Sequence, residues 1–277
     1  MSEDLVMNDM PVRVMQFDLA PEEIKRSIPT FAHGLGLSMT LPYLEPYLIR
    51  SMRVALEFAT DEKIIQDVKQ FIGQEGQHFR QHQKLNDILR ETYPAYAGLQ
   101  EIEDDMEADY QRFTKTMSLR FNLAYAEGFE AATCSLARQA LENPEPGDTG
   151  MQRLFKWHGT EEVEHRTVTF DIYHHLYGGY FYRLFVGMFG QYHFFKYVFR
   201  FANYISKHCP DSDKPKTLEV KTRGQKDLER KALLSLLGKV LKTYSPFYNP
   251  AKLEIPEMHA SMSTQYSNEA IDTRVME

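Results

Sequence analysis

The chain has 277 residues, of which 43% are hydrophobic and 26% are charged, an ordinary composition for a globular protein. Its net charge of −7 disfavours nucleic-acid binding, which usually requires a basic face. The two cysteines, Cys134 and Cys209, lack C-x-x-C spacing, so we expect reduced thiols in a cytoplasmic protein. The start of the chain does not resemble a secretory signal, and no uninterrupted run of about 20 apolar residues predicts a membrane-spanning helix.

Hydrophobic periodicity predicts helices throughout the chain and no convincing strand. Residues 1–40 contain prolines and glycines that predict irregular structure. The predicted helices lie at about 44–59, 61–92, 99–142, 149–176, 177–202 and 225–243. The helix at 99–142 is unusually long and is expected to be broken, and Asp61 is a good N-terminal cap for the second helix.

Two of these helices carry the same chemical pattern, Glu75-x-x-His78 and Glu162-x-x-His165. A glutamate and a histidine three residues apart lie on the same face of an α-helix, close enough to share a metal ion. Both pairs fall on the apolar stripe, where leucine or alanine would be expected. The two pairs together predict a dinuclear metal site inside a helix bundle.

Ferritin-like di-iron and di-manganese proteins use one glutamate from each of two helices and an E-x-x-H pair from each of two others. This chain has that order, with Glu45, then Glu75 and His78, then Glu127, then Glu162 and His165. We therefore predict an all-α fold with a ferritin-like four-helix bundle core and additional C-terminal helices. Oxygen and nitrogen ligands without thiolates suit two iron ions, with manganese as the alternative.

Four further residues lie close to these ligands in the sequence. His158 precedes Glu162 by one turn and forms H-x-x-x-E-x-x-H with it and His165, so we predict it as a seventh ligand, with an outer hydrogen-bonding role as the alternative. His82, Glu130 and Glu161 are each an additional ligand or an outer hydrogen-bonding partner. Glu130 lies one turn after Glu127 and is the alternative ligand on that helix.

Two blocks, F-I-G-Q-E-G-Q-H-F-R-Q-H-Q-K-L-N (71–86) and W-H-G-T-E-E-V-E-H-R-T-V-T-F-D-I-Y (157–173), resemble a bacterial family of predicted metal-dependent hydrolases. The resemblance extends from about residue 30 to 205. Where that family typically has E-H-F-T-A, this chain has E-G-F-E-A at 127–131, with Glu130 in place of threonine. The order of ligands is also distantly similar to that of the di-iron arylamine N-oxygenases, which implies seven ligands: Glu45, Glu75, His78, Glu127, His158, Glu162 and His165.

Three functions fit a buried dinuclear centre. The first is an oxidase or oxygenase that uses dioxygen and an electron donor on a hydrophobic or aromatic small molecule. The alternative is a metal-dependent hydrolase, in which the metals activate a water molecule. The third is a metal-binding bundle without catalytic activity. Beyond the metal ligands, no residue type in the chain predicts a separate catalytic group.

The aromatic segment 177–202 is interrupted by charged and polar residues. Its simplest interpretation is a buried or tunnel-lining helix. Aromatic side chains that carry a polar group are also common at membrane surfaces and protein interfaces. Peripheral membrane contact or homo-oligomer formation is therefore the other expectation. The predicted organisation is an irregular N-terminal segment (1–40), a di-metal helical bundle with this aromatic fifth helix (41–208), and a linker, amphipathic helix and polar tail (209–277).

Overall fold

The computed structural model describes residues 10–144, 146–214 and 223–274. Within these ranges the protein is all-α, as predicted, apart from two short strands. The helices are α1 (Pro21–Leu56), α2 (Glu62–Thr92), α3 (Leu99–Thr116), α4 (Leu119–Glu142), α5 (Gly150–Glu164), α6 (Val168–Leu176), α7 (Tyr180–His208), α8 (Arg223–Thr243) and α9 (Met258–Glu269). The strands are β1 (Val12–Val14) and β2 (Asp272–Arg274), which pair in an antiparallel manner.

The helices that carry the predicted ligands form the centre of the molecule. α1 packs chiefly against α2 and α7, and α4 packs against α7 and α5. The loop between α1 and α2 is short, so these two helices form an antiparallel hairpin. The ferritin-like arrangement of the core stays a prediction, since it follows from the order of the ligand-bearing helices.

Local signals account for where several helices begin and end. Asp61 caps α2 as predicted, because its side chain accepts a hydrogen bond from the main-chain N–H of Ile64 at 3.0 Å. Ser118 caps α4 in the same way and breaks the predicted 99–142 helix in two. Gly178 and Gly179, with φ of 61° and 92°, turn the chain between α6 and α7 in a conformation that favours glycine.

The two ends of the chain differ most from the prediction. Residues 21–40 belong to α1 rather than to an irregular segment, and the helix continues through Pro29, Pro42 and Pro46. It kinks at Phe31, where φ is −122° and ψ is 22°. The polar tail is also structured, because it forms α9 and β2. Packing against the bundle outweighs the local cost of the prolines and the weak periodicity of the tail. Residues 215–222 of the predicted linker lie outside the described ranges.

The aromatic helix α7 has two distinct faces. One is buried against α1 and α4, whereas the other exposes large side chains, including Phe181, Phe185 and Tyr192 at 71%, 67% and 69%. Within the described residues, none of the helices is both long enough and apolar enough to cross a membrane. Contact of this face with a membrane surface or a second copy of the chain stays a prediction.

Candidate metal centre

Seven buried glutamate and histidine side chains meet between four of the helices. They are Glu45 on α1, Glu75 and His78 on α2, Glu130 on α4, and His158, Glu162 and His165 on α5 and its C-terminal cap. Asp61 and the capping box of Thr149 and Gln152 begin the two helices that supply five of them. The helical repeat then turns these side chains to the interior.

The seven side chains form two adjoining groups, and within each group the ligand atoms all lie within 4.8 Å of one another. One group contains Glu45, His78 and His158, and the other contains Glu75, Glu130, Glu162 and His165. Two carboxylates connect the groups. Glu75 Oε1 lies 3.5 Å from His78 Nδ1 and 3.6 Å from His165 Nε2. Glu162 Oε1 lies 2.9 Å from His158 Nε2 and 3.6 Å from His165 Nε2.

Many of the atoms that point into this cluster have no hydrogen-bond partner among the described residues. They are both carboxylate oxygens of Glu45 and of Glu130, Glu75 Oε1, Glu162 Oε2, His78 Nδ1 and His165 Nε2. Buried charges without a partner cost several kcal/mol each by order of magnitude, so native proteins pair them or use them to bind metal ions. These residues therefore fit two cations.

A chain of hydrogen bonds sets the tautomer of His158. Asn86 Nδ2 donates to the main-chain oxygen of Ser38, which identifies Asn86 Oδ1 as the acceptor for the Ser38 hydroxyl at 2.7 Å. Ser38 Oγ then accepts from His82 Nδ1, and His82 Nε2 accepts from His158 Nδ1, both at 2.9 Å. His158 Nε2 is left without a proton and faces Glu162. Both ring nitrogens of His82 thus have hydrogen-bond partners, and His82 lies outside the two groups.

The other two histidines are oriented in the same manner. His78 Nε2 donates to Glu161 Oε2 at 2.9 Å, which leaves Nδ1 to face Glu75. The amide nitrogen of Gln74 donates to Pro11 O and Glu164, so its oxygen accepts from His165 Nδ1 at 3.3 Å. His165 Nε2 then faces the carboxylates. In each neutral ring the outer partner takes the N–H, so the nitrogen that faces the cluster carries a lone pair, which is what a metal ligand requires.

The surroundings raise the pKa values of two groups of the cluster and lower that of a third. Burial and the charge of Glu162 raise the pKa of Glu130 to about 8. Burial alone would lower the pKa of His78, but its hydrogen bond to Glu161 and the negative charge of Glu75 raise that pKa to about 9. Burial and the neighbouring His78 instead lower the pKa of His158. Glu130 and His78 thus favour protons in positions where a cation would compensate the negative charge of the cluster.

Glu127 was predicted as the ligand on the 99–142 helix, but the structure places it outside both groups. Arg183 Nη1 donates to its Oε1 at 2.7 Å. The backbones of α4 and α7 touch at this point, since a Cβ added to Gly128 would lie 2.2 Å from the Cα of Gly187. Three residues turn a helix face by about 60°, so α7 covers Glu127 while Glu130 points into the cluster.

Comparison with known proteins assigns the chain to a family. The family model described as a predicted metal-dependent hydrolase matches residues 11–254. The chain belongs to this family. No match was found among curated proteins or among solved structures. The family resemblance drawn from the blocks at 71–86 and 157–173 is thereby confirmed.

Six of the seven residues predicted as ligands lie in the two groups of this family member. Glu130 lies there in place of Glu127. Glu161 is buried as an outer partner that also accepts from Trp157 Nε1 at 2.9 Å. Sequence patterns did not single out Gln74, Ser38, Asn86 or Glu164, which orient the ligands from outside. Gln74 does lie on the buried stripe of α2 next to Glu75, and that position was the available signal.

Proposed function

We propose that the cluster binds two divalent metal ions and that the protein is an enzyme that depends on them. The observation that carries this proposal is the set of eight buried ligand atoms without a hydrogen-bond partner, all belonging to the cluster. Glu45, His78 and His158 would hold one ion, and Glu130 and His165 the other. Glu75 and Glu162 lie close to histidines of both groups and would supply further oxygen ligands where the groups adjoin.

The donor set favours iron, with manganese as the second choice. Carboxylate oxygens suit iron and manganese, and imidazole is a ligand that iron also accepts. Both cysteines of the chain lie outside the two groups, so a thiolate site for structural zinc does not fit. Metal analysis of protein purified without added metal tests the assignment. Two iron ions per chain would support it, whereas absence of bound metal would contradict it.

We propose hydrolysis as the reaction, because the chain belongs to a family described as metal-dependent hydrolases. Bound metal ions would lower the pKa of a coordinated water molecule and so supply a nucleophile at neutral pH. The side chain of His158 is 11% exposed, whereas those of the other six cluster residues are at most 4% exposed. Water and substrate would therefore approach the centre from the side of His158.

The surroundings of His158 favour a hydrophobic substrate. The ring of Phe155 lies edge-on to His82, at 5.2 Å between ring centroids, and edge-on to Phe31 at the same distance. His82 in turn donates to Ser38 and holds His158. These aromatic side chains would exclude bulk water and contact an apolar part of the substrate.

An oxygenase is the second candidate, favoured by one feature of the site. All of its ligands come from helices or a helix cap in a closed bundle, as in carboxylate-bridged di-iron proteins. Metal-free protein reconstituted with Mn(II), Zn(II) or Fe(II) and assayed with p-nitrophenyl esters and phosphate tests hydrolysis. Anaerobic loading with Fe(II), followed by air, tests oxygen chemistry through a transient visible absorption.

Two variants control both assays. Glu162→Ala removes a connecting carboxylate and should abolish metal binding and activity together. Glu127→Gln alters a buried glutamate outside the two groups and should retain two metal ions and activity. Metal-dependent turnover of an ester or phosphate without oxygen uptake would establish the hydrolase. Oxygen uptake with no such turnover would replace it with the oxygenase.

A further inference from the structure

Arg13 lies on β1, outside the bundle in sequence, yet its side chain is 1% exposed and reaches the back of the metal centre. Its Nη1 donates to Glu161 Oε1 at 2.9 Å and to Glu164 Oε2 at 2.8 Å. Its Nη2 donates to Glu164 Oε1 at 2.8 Å. One guanidinium thus joins two buried carboxylates on the last turn of α5, with the forked geometry that arginine offers.

Each of these carboxylates leads to a different histidine of the centre. Glu161 accepts the Nε2 proton of His78 at 2.9 Å. Glu164 accepts from the amide of Gln74 at 2.9 Å, and the oxygen of the same amide accepts from His165 Nδ1. Arg13 is therefore connected to one histidine in each ligand group. His158 is held separately, through His82 and Ser38.

The two ends of the chain hold Arg13 in place. The strand that carries it pairs with β2, with Arg13 opposite Thr273. From α9, Ser267 accepts from Arg13 Nε at 3.0 Å and Ser263 accepts from Nη2 at 2.8 Å. The hydroxyl of Ser263 also donates to Glu164 at 2.8 Å. All five N–H donors of the guanidinium are directed toward this small set of partners.

We propose that Arg13 is a positioning residue that orients His78 and His165 through Glu161 and Glu164, and that the docked N-terminal strand and C-terminal helix α9 are thereby part of the metal centre. This inference rests on the proposed function, since it concerns ligands of the two ions. Histidine ligands whose outer hydrogen-bond partner is lost typically bind metal about 10–100-fold more weakly. The loss of Arg13 should therefore weaken the binding of both ions.

Titration of the metal-free, full-length protein with Co(II) tests this proposal. Calorimetry gives the affinity and number of bound ions, and the visible absorption of Co(II) reports on the geometry of its ligands. We expect two ions in the wild type, and about 10–100-fold weaker binding of both in Arg13→Gln. Arg13→Lys keeps the charge but not the forked contact, so it should restore little of the affinity.

Arg138→Gln is the matched control. Arg138 is also buried, at 8% exposure, but its Nε donates to the main-chain oxygen of Glu254. We expect this variant to lower the stability of the metal-free protein in thermal unfolding while keeping the Co(II) affinity and spectrum of the wild type. Affinity in Arg13→Gln equal to that of the wild type would overturn the positioning role.

Glu161→Gln and Glu164→Gln keep the test decisive if Arg13→Gln fails to fold. Each variant alters the connection from Arg13 to one histidine and keeps nearly the same side-chain volume. Each should therefore weaken the binding of one ion and alter one component of the Co(II) spectrum. Wild-type affinity for both ions in both variants would overturn the inference. Wild-type protein that binds no Co(II) would instead overturn the proposed function itself, so the two failures are distinguishable.

Discussion

Glu127 and Glu130 are three residues apart on α4, are both buried, and have opposite surroundings. Glu127 forms an ion pair with Arg183, and the side chains of the pair are only 3% and 4% exposed. Glu130 has no hydrogen-bond partner for either oxygen and lies 3.2 Å from His165 Nε2. The chain supplies the counter-charge for one glutamate and leaves the other to an external cation. A buried glutamate is thus a ligand candidate only when the protein does not already neutralise it.

Removing each carboxylate in turn tests whether Glu127 and Glu130 differ in metal binding. Glu130→Ala should lose at least one of the two metal ions, because it removes two unpaired ligand oxygens. Glu127→Ala should retain both ions. Metal analysis after dialysis measures the content of each variant. Two ions in Glu130→Ala, or loss of metal in Glu127→Ala, would reverse the assignment of the ligand on α4.

Breaking the internal ion pair should chiefly affect stability. Arg183→Met leaves Glu127 buried without its partner, which typically costs about 3–5 kcal/mol. The double variant Glu127→Met, Arg183→Met should recover most of that loss, since neither charge remains. Urea unfolding of the metal-free proteins gives the free energy of unfolding. Equal destabilisation of the single and double variants would show that the pair is not what stabilises this face of α4.

Bound metal should stabilise the wild type and Glu127→Gln to the same extent. Metal at 100 times its dissociation constant adds about 2.7 kcal/mol per site if it binds the folded state alone. Glu130→Gln should lose most of that increment. Thermal unfolding with and without Mn(II) measures it. If Mn(II) stabilised Glu130→Gln as much as the wild type, Glu130 would not be a ligand of the ion.

Metal binding should release protons, and its affinity should rise with pH. The raised pKa values of Glu130 (about 8) and His78 (about 9) keep both groups protonated at pH 7 in the metal-free protein. Metal must displace these protons, so affinity should increase about tenfold per pH unit for each proton, up to about pH 9. Calorimetry at pH 7 in two buffers of different ionisation enthalpy counts the protons.

The two glutamates again provide the control for this smaller effect. Glu127→Gln should release the same number of protons as the wild type, because Glu127 lies outside both ligand groups. A release that does not change between pH 6 and pH 9 would show that these groups are not displaced by the metal.

Local sequence patterns predicted much of the bundle. Helix α2, its cap at Asp61, and the inward position of Glu75 and His78 follow from helical periodicity, which acts within a few residues. The start of α1 at Pro21 could not be predicted in that way. Its prolines disfavour a helix locally, and only packing on α2 and α7 compensates for them. Sequence patterns did not predict the contacts of Arg13 with Glu161 and Glu164, because these residues are separated by about 150 positions in the chain.

The amino-acid sequence is enough to predict an all-α protein, two E-x-x-H pairs that face its core, and the family to which it belongs. These properties depend on residue type and on the repeat of a single helix. Tertiary structure alone decided that Glu130 rather than Glu127 joins the cluster, because the contact of Gly128 with Gly187 brings Arg183 to Glu127. It also decided which nitrogen of each histidine is free, because outer partners from distant segments bind the other nitrogen.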